Sequence, residues 1–264
     1  MILETPATRA ERIDYLAAAL DGLYAGPPVP ASTVGGRAAA LEQLRAFEPQ
    51  NYGRMRNHVV RRSVSALSAY IRHGVLSLTE LRDYVVTRFA PTPGVNKFIN
   101  ELAWRAFWQL VYADLGERIH ADLEPAKHTA PRQRGLPPDI ASGTTGLVCI
   151  DAALQELFAT GYMHNHARMW VAAYVQHWRG VDWRDGAALF YRHLLDGDPA
   201  SNSLSWQWVG STFSAKPYFF NRQNVEQYSD GVYCSRCPLA TSGCPFDASY
   251  EQLAVQLFGE AIGE

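Results

Sequence analysis

Apolar residues recur at helical intervals through most of this chain, and the strict alternation a half-buried strand needs is nearly absent. Residues 7–24 put Ile13, Leu16, Leu20 and Leu23 on one face, and residues 58–73 carry Val59, Val60, Val64, Leu67 and Ile71 at the same spacing. Ser77-Leu-Thr-Glu80 reads as a capping box, which predicts a helix from there to about Phe89. Pro91 and Pro93 end it. A long amphipathic helix, unusually rich in aromatics, is predicted over 95–115. The stretch 123–145 is rich in Pro, Gly, Thr and charge, has no period, and is expected to be a loop. Helices are expected again at 149–160, 163–178 and 183–194, and a last one at 250–261. Nothing suggests a parallel sheet, a glycine-rich phosphate loop or an internal repeat. The fold class this predicts is all-α, a single helical domain over residues 1–264.

Composition narrows the function. Nearly half of the 264 residues are apolar and the formal net charge is -2, which describes a folded globular protein and argues against one that coats nucleic acid non-specifically. A local basic surface stays open, with Arg54, Arg61 and Arg62 as candidates for a patch or simply a solvated helix face. No apolar run approaches the roughly 20 residues that span a bilayer, so no membrane partner is expected. The N-terminus lacks a charged start followed by an apolar core, and the expected compartment is the cytoplasm. In that setting the four cysteines, Cys149, Cys234, Cys237 and Cys244, point to a metal rather than to disulfides. Seven tryptophans fall in a few short segments, mostly a core signal in a helical protein, as for Trp108 and Trp170.

Three segments carry a more specific message. Asn100-Glu-Leu-Ala-Trp-Arg105 alone is an amphipathic helix with a tryptophan. Thr160-Gly-Tyr-Met-His-Asn-His-Ala-Arg-Met169 and Asp196-Gly-Asp-Pro-Ala-Ser-Asn-Ser-Leu-Ser-Trp-Gln-Trp208 follow it. In this order and at these separations they resemble the FAD-binding domain of the DNA photolyase and cryptochrome family. Residues 63–76 and the Tyr52–Arg56 pair resemble further parts of it. The resemblance runs from about residue 50 to the C-terminus and leaves 1–49 as a helical N-terminal extension. It implies FAD as cofactor, and, with so few residues ahead of it, no antenna chromophore is expected.

The resemblance implies the following roles. Ser65, Leu67 and Ser68 would cradle the FAD pyrophosphate, since hydroxyls and backbone N–H groups at a helix start suit phosphate. The family usually has Thr and Arg where this chain has Val64 and Ala66, so Arg56 and Arg105 would supply part of the phosphate contact. Asn165 belongs to the same binding set. Arg168 and Asp196 match an ion pair beside the flavin ring, and Asp198 and Asn202 match positions near the ribityl chain and flavin N5. Fixed charge there sets which redox state of the ring persists. Trp206 matches the tryptophan that reduces the excited flavin, and Trp183 the next in that relay. The third member has no counterpart in the aromatic-free stretch 117–140, which leaves Trp178, Trp170, Tyr174 or a metal cluster as candidates. Glu101, Trp104, Met169 and Trp208 match the pocket for a flipped-out pyrimidine dimer, which needs flat apolar walls and one polar edge. His166 stands where the family often has a basic residue on the DNA backbone.

Cys234-x-x-Cys237, Cys244 and the distant Cys149 form a three-plus-one thiolate set, which suits structural zinc or a [4Fe–4S] cluster. Tyr233-Cys-Ser-Arg-Cys237, Gly243-Cys-Pro-Phe246, Tyr250 and Lys216-Pro-Tyr218 resemble the iron–sulfur bacterial cryptochromes and photolyases, which favours the cluster. The function implied is light-driven electron transfer from reduced FAD to a pyrimidine lesion in DNA, single-stranded DNA included. The rivals are a cryptochrome-like photoreceptor acting through a protein partner, and a flavin and iron–sulfur redox protein without repair.

Overall fold

Short polar side chains and prolines fix where the helices of this chain begin. The structure, a computed structural model, describes residues 5–24, 31–61, 63–127 and 132–259. The chain divides into two units, Met1–Val34 and Gly35–Glu264. The first contains α1 (Arg9–Ala19), opened by a capping box between Thr8 and Glu11. No residue of α1 is buried, and Leu16, Leu20 and Leu23 are exposed.

The second unit begins with α2 (Arg37–Ala46), α3 (Tyr52–Met55), α4 (Ser68–Arg72) and α5 (Leu78–Arg88). Next comes α6 (Pro93–Leu115), opened by the Thr92 hydroxyl on the Val95 N–H and by Pro93 at its first position. Then follow α7 (Pro138–Ser142), α8 (Val148–Thr160) and α9 (Asn165–Ala173), which runs into a π-helical turn, Tyr174–Trp178. The chain ends in α10 (Trp183–His193), α11 (Pro199–Val209), α12 (Arg222–Ser229) and α13 (Tyr250–Phe258). Among the described residues there is no strand, only an isolated bridge between Gln133 and Val181. The all-α expectation holds. No helix of the described residues is long and apolar enough to cross a membrane.

Two apolar clusters hold this unit together. One joins Leu44, Phe47, Leu67, Leu81, Val85 and Phe98, from α2 to the start of α6. The other gathers Leu154, Trp170, Trp183, Trp206, Phe220 and Phe246, from α8 onward. Only the first turns of α6 are buried, at Gly94, Val95 and Phe98. A Cβ on Gly94 would stand 2.1 Å from the Gln50 carbonyl oxygen, so glycine lets the backbone before α3 lie directly on α6. The rest of α6 stays partly open and packs against α11, which also packs on α9 and α10.

Three sequence expectations need correction. The helix over 58–73 shrinks to α4, because Ala66 adopts positive φ (52°) and the Val59 N–H bonds instead to the Tyr228 carbonyl. Val60 is accordingly exposed. The stretch 123–145 is not all loop: Pro138 at the first position starts α7, and Gly143 ends it in the left-handed conformation. Ser77 caps α5 by accepting from the Glu80 N–H, while Glu80 turns to Arg37 instead of closing the box. The last helix is described to Phe258, and the rest of its expected span, 260–261, lies outside the described residues.

Candidate functional site

Five charged side chains meet where α4, α6, α9 and α11 come together. Arg168 on α9 places Nη2 3.0 and 2.9 Å from the two oxygens of Asp196, just before α11. Asp196 is 8% exposed, so burial alone would raise its pKa. The Arg168 charge, hydrogen bonds from Ser68 and Arg168, and the Arg105 charge outweigh that and hold it below the usual carboxylate value. Asp198 caps α11, accepting from the Ser201 N–H (3.0 Å) and hydroxyl (2.6 Å). Gln109 Nε2 lies 2.9 Å from both its oxygens, and these bonds together with Arg105 lower its pKa against the effect of burial. Arg105 is desolvated, which lowers its pKa, and the two aspartates partly restore it. Arg72 completes the set by donating from Nε to the Gly197 carbonyl at 2.6 Å. Three guanidinium groups against two carboxylates leave one positive charge in surplus, the electrostatic requirement for an anionic ligand.

Arg72 and Gln109 were not singled out in the sequence. Each stands four residues after an expected site residue, Ser68 and Arg105, and so on the same helix face, the one signal that could have found them. The phosphate segment shows a left-handed Ala66 followed by a right-handed Leu67, a turn that aims successive N–H groups into one concavity. No side chain caps α4 there. The Leu67 side chain itself is core, and the Ser65 carbonyl accepts from Gln43. Asn165 opens α9 and is exposed. Tyr52 packs its ring against Phe47 and Phe98, and burial raises its hydroxyl pKa. Arg56 pairs with Glu101 at 3.7 Å, and Lys97 pairs with the same oxygen at 2.7 Å.

The aromatic residues divide into buried and open. Trp206 is 2% exposed, lies edge-on to Phe190, and leaves its indole N–H without a protein partner. Its ring presses on Gly186, where a Cβ would stand 2.3 Å away. Trp183 is equally buried and donates to Asp122 at 2.7 Å. Asn202 donates from Nδ2 to the Ala187 carbonyl, tying α11 to α10. By contrast Trp104 is 50% and Trp208 38% exposed. Trp104 stacks on Trp108 (5.4 Å) and Trp208 on Tyr218 (5.9 Å), while Met169 is half-buried. Trp108 thus supports an open ring rather than filling the core.

Two of the three candidates for a basic patch fall within the described residues. Arg61 is taken up by a two-pronged bond to Asp230, Arg54 is exposed, and Arg62 lies outside the described residues. His166 is not a surface base: it is 4% exposed, and burial drives its pKa down to about 4 despite a bond to Asn224. It stays neutral at pH 7.

All four cysteines are free thiols and line one cavity with Leu147, Arg222, Val225, Tyr233, Ala240 and Phe246. Burial raises the Cys234 thiol to about 11 and pushes Cys149 and Cys244 up as well. Arg222 clamps the loop between Cys237 and Cys244, donating to the Ala240 carbonyl (2.9 Å) and to Asp247 (2.8 Å). Among the described residues no three His, Cys, Asp or Glu side chains are gathered as a single metal ion requires.

The sequence pattern described as the FAD binding domain of DNA photolyase matches residues 98–234, just over half the chain. The deoxyribodipyrimidine photo-lyase of Streptomyces griseus is 37% identical over 57% of this chain and 32% of its own. The chain spans between 32% and 45% of the length of the curated relatives it matches. A bacterial class III photolyase structure from Agrobacterium tumefaciens aligns with TM-score 0.67 at 27% identity, over 88% of this chain and 52% of the other. A cryptochrome structure from Synechocystis aligns with TM-score 0.72 at 26% identity, over 90% and 55%. The matched pattern covers Arg105, Arg168, Asp196 and Asp198 of the charged junction and the buried Trp183 and Trp206, and the chain belongs to the FAD-binding-domain family of DNA photolyase.

Proposed function

We propose that this chain is a light-driven FAD flavoprotein that passes an electron from reduced FAD to a pyrimidine dimer in DNA. The observation that carries the reading is the junction of Arg72, Arg105, Arg168, Asp196 and Asp198, with two half-open tryptophans on the helices beside it. FAD, when bound, supplies the light-excited electron. Arg72, Arg105 and the N–H groups at Ala66–Ser68 would hold its phosphates, and the Arg168–Asp196 pair would orient the ring. The unpartnered Trp206 indole N–H and its burial fit a ring packed beside it. Trp206 and Trp183 form the route by which electrons reach the flavin. Trp104, Trp208 and Met169 wall the lesion, and Glu101 meets its polar edge.

The cysteine cavity is read as the seat of a [4Fe–4S] cluster. Four free thiols lining one cavity fit it, since in such a cluster each thiolate binds its own iron. The likeness to deoxyribodipyrimidine photo-lyases supports DNA dimers as substrate. A photoreceptor without turnover is the second reading, supported by the likeness to the Synechocystis cryptochrome. The test is blue light on FAD-reduced protein with an oligonucleotide carrying a pyrimidine dimer. Light-dependent return of the two pyrimidines is expected. Photoreduction with the dimer left intact would overturn repair and favour the photoreceptor.

A further inference from the structure

The Trp183 indole is 1% exposed, yet its N–H meets a full charge: it donates to Asp122 Oδ1 at 2.7 Å. The same oxygen accepts from Arg184 Nη2 at 3.0 Å, and the Arg184 guanidinium carbon stands 4.7 Å from the centre of the indole ring. The Asp122 side chain is 43% exposed, so a proton placed on it has a direct way to water. On the other side, Trp206 lies against Gly186, one turn beyond Trp183 on α10. Asp122 sits in the stretch 117–140, which has no aromatic residue to carry a charge further.

Losing an electron turns the indole N–H from a very weak acid into a strong one. A positive ring in a buried site is costly, and the Arg184 cation over its face repels it further. The nearest base in line with the N–H is the Asp122 carboxylate. We propose that Asp122 is the proton acceptor that ends the electron relay at Trp183. The inference rests on the light-driven flavin reading and names its oxidant, a light-excited oxidised flavin. Trp206 gives up one electron to that oxidant, Trp183 gives one to Trp206, and the Trp183 Nε1 proton moves to Asp122. In sum one electron leaves Trp183 for the flavin, and one proton crosses the 2.7 Å bond. The neutral radical left behind regains an electron slowly, because the proton must come back with it.

The test is time-resolved absorption after a flash on FAD-loaded protein without DNA. Wild type is expected to form a deprotonated tryptophan radical, more slowly in D2O. Asp122→Asn keeps an acceptor for the N–H but takes no proton, so its radical should stay cationic and recombine on the order of 100-fold faster. Asp122→Glu should restore the neutral radical. A flavin-independent check is the Trp183 indole N–H resonance of FAD-free wild type and Asp122→Glu, which should report a strong hydrogen bond. A neutral radical that persists in Asp122→Asn, a radical on another side chain, or no hydrogen bond at the indole would overturn the proposal. A wild type that binds no FAD, or binds it and forms no radical, overturns both the proposal and the flavin reading, and is distinguished because every variant then behaves alike.

Discussion

At the junction of α4, α6, α9 and α11 nearby guanidinium groups and hydrogen bonds hold Asp196 and Asp198 in their charged forms, whereas around the cysteine cavity burial pushes Cys149, Cys234 and Cys244 toward the neutral thiol. Asp196 is among the most buried carboxylates of the chain, but every oxygen has a donor and a nearby cation. The thiols have only the Arg222 guanidinium, and that group is already engaged by Glu226 and Asp247. The first region is preorganised: its ion pairs stand before any ligand arrives, with one positive charge left over for an anion, which is what a site that positions a flavin needs. On the proposed reading of the cavity as a cluster site, the second would be completed by its ligand, because the charge that makes thiolates stable in a cavity is the metal's.

The sharpest way to break the comparison is Cys237→Ala. It should reduce bound iron from about four per chain to near none, with FAD content unchanged, both read by cofactor analysis of anaerobically purified protein. Loss of both cofactors together would mean that the two regions are one. Next in size is Asp196→Ala, which strands Arg168 and Arg105. Removing one partner of a buried pair costs about 3–5 kcal/mol. Urea unfolding should show that loss along with poor FAD retention, while iron stays bound.

The two regions should also answer pH differently from the rest of the fold. Asp196 and Asp198 have lowered folded pKa values, so their stabilisation is complete above the ordinary carboxylate range and is lost as pH falls through the lowered values. His166 acts earlier. Its folded pKa is depressed to about 4, so the unfolded chain binds a proton the folded one refuses, and stability falls as pH drops from about 6.5 to about 4. The size is on the order of 3 kcal/mol, and His166→Leu should flatten that part of a pH–stability profile. The smallest effect on the fold belongs to the open rings. Trp104→Ala and Trp208→Ala should change stability by no more than about 1 kcal/mol. Each should weaken dimer-DNA binding by roughly 1–3 kcal/mol in a fluorescence titration.

The same contrast explains what the sequence made legible. Arg168, Asp196, Asp198 and Trp206 were visible because they sit in contiguous motifs on helices with clear starts, such as Pro93 after Thr92 and Pro199 after Asp198. The matched pattern ends at residue 234, so Cys237 and Cys244 were read from their spacing and from the resemblance of the segments around them. Residues 58–67 misled because valines at helical spacing met a backbone committed elsewhere, through Ala66 and the Val59–Tyr228 bond. His166 stands where the family often has a basic residue, and the packing of Trp170 and Tyr228 around it shows a buried neutral ring. Asp122 was invisible, since nothing local links it to a tryptophan 61 residues away.

The most direct test of the account is an absorption spectrum of anaerobically purified protein, taken before and after blue light with a reductant present. The account predicts structured flavin bands that bleach in light, on a broad iron–sulfur shoulder that disappears in Cys237→Ala. A colourless protein, or flavin bands indifferent to light, would contradict it.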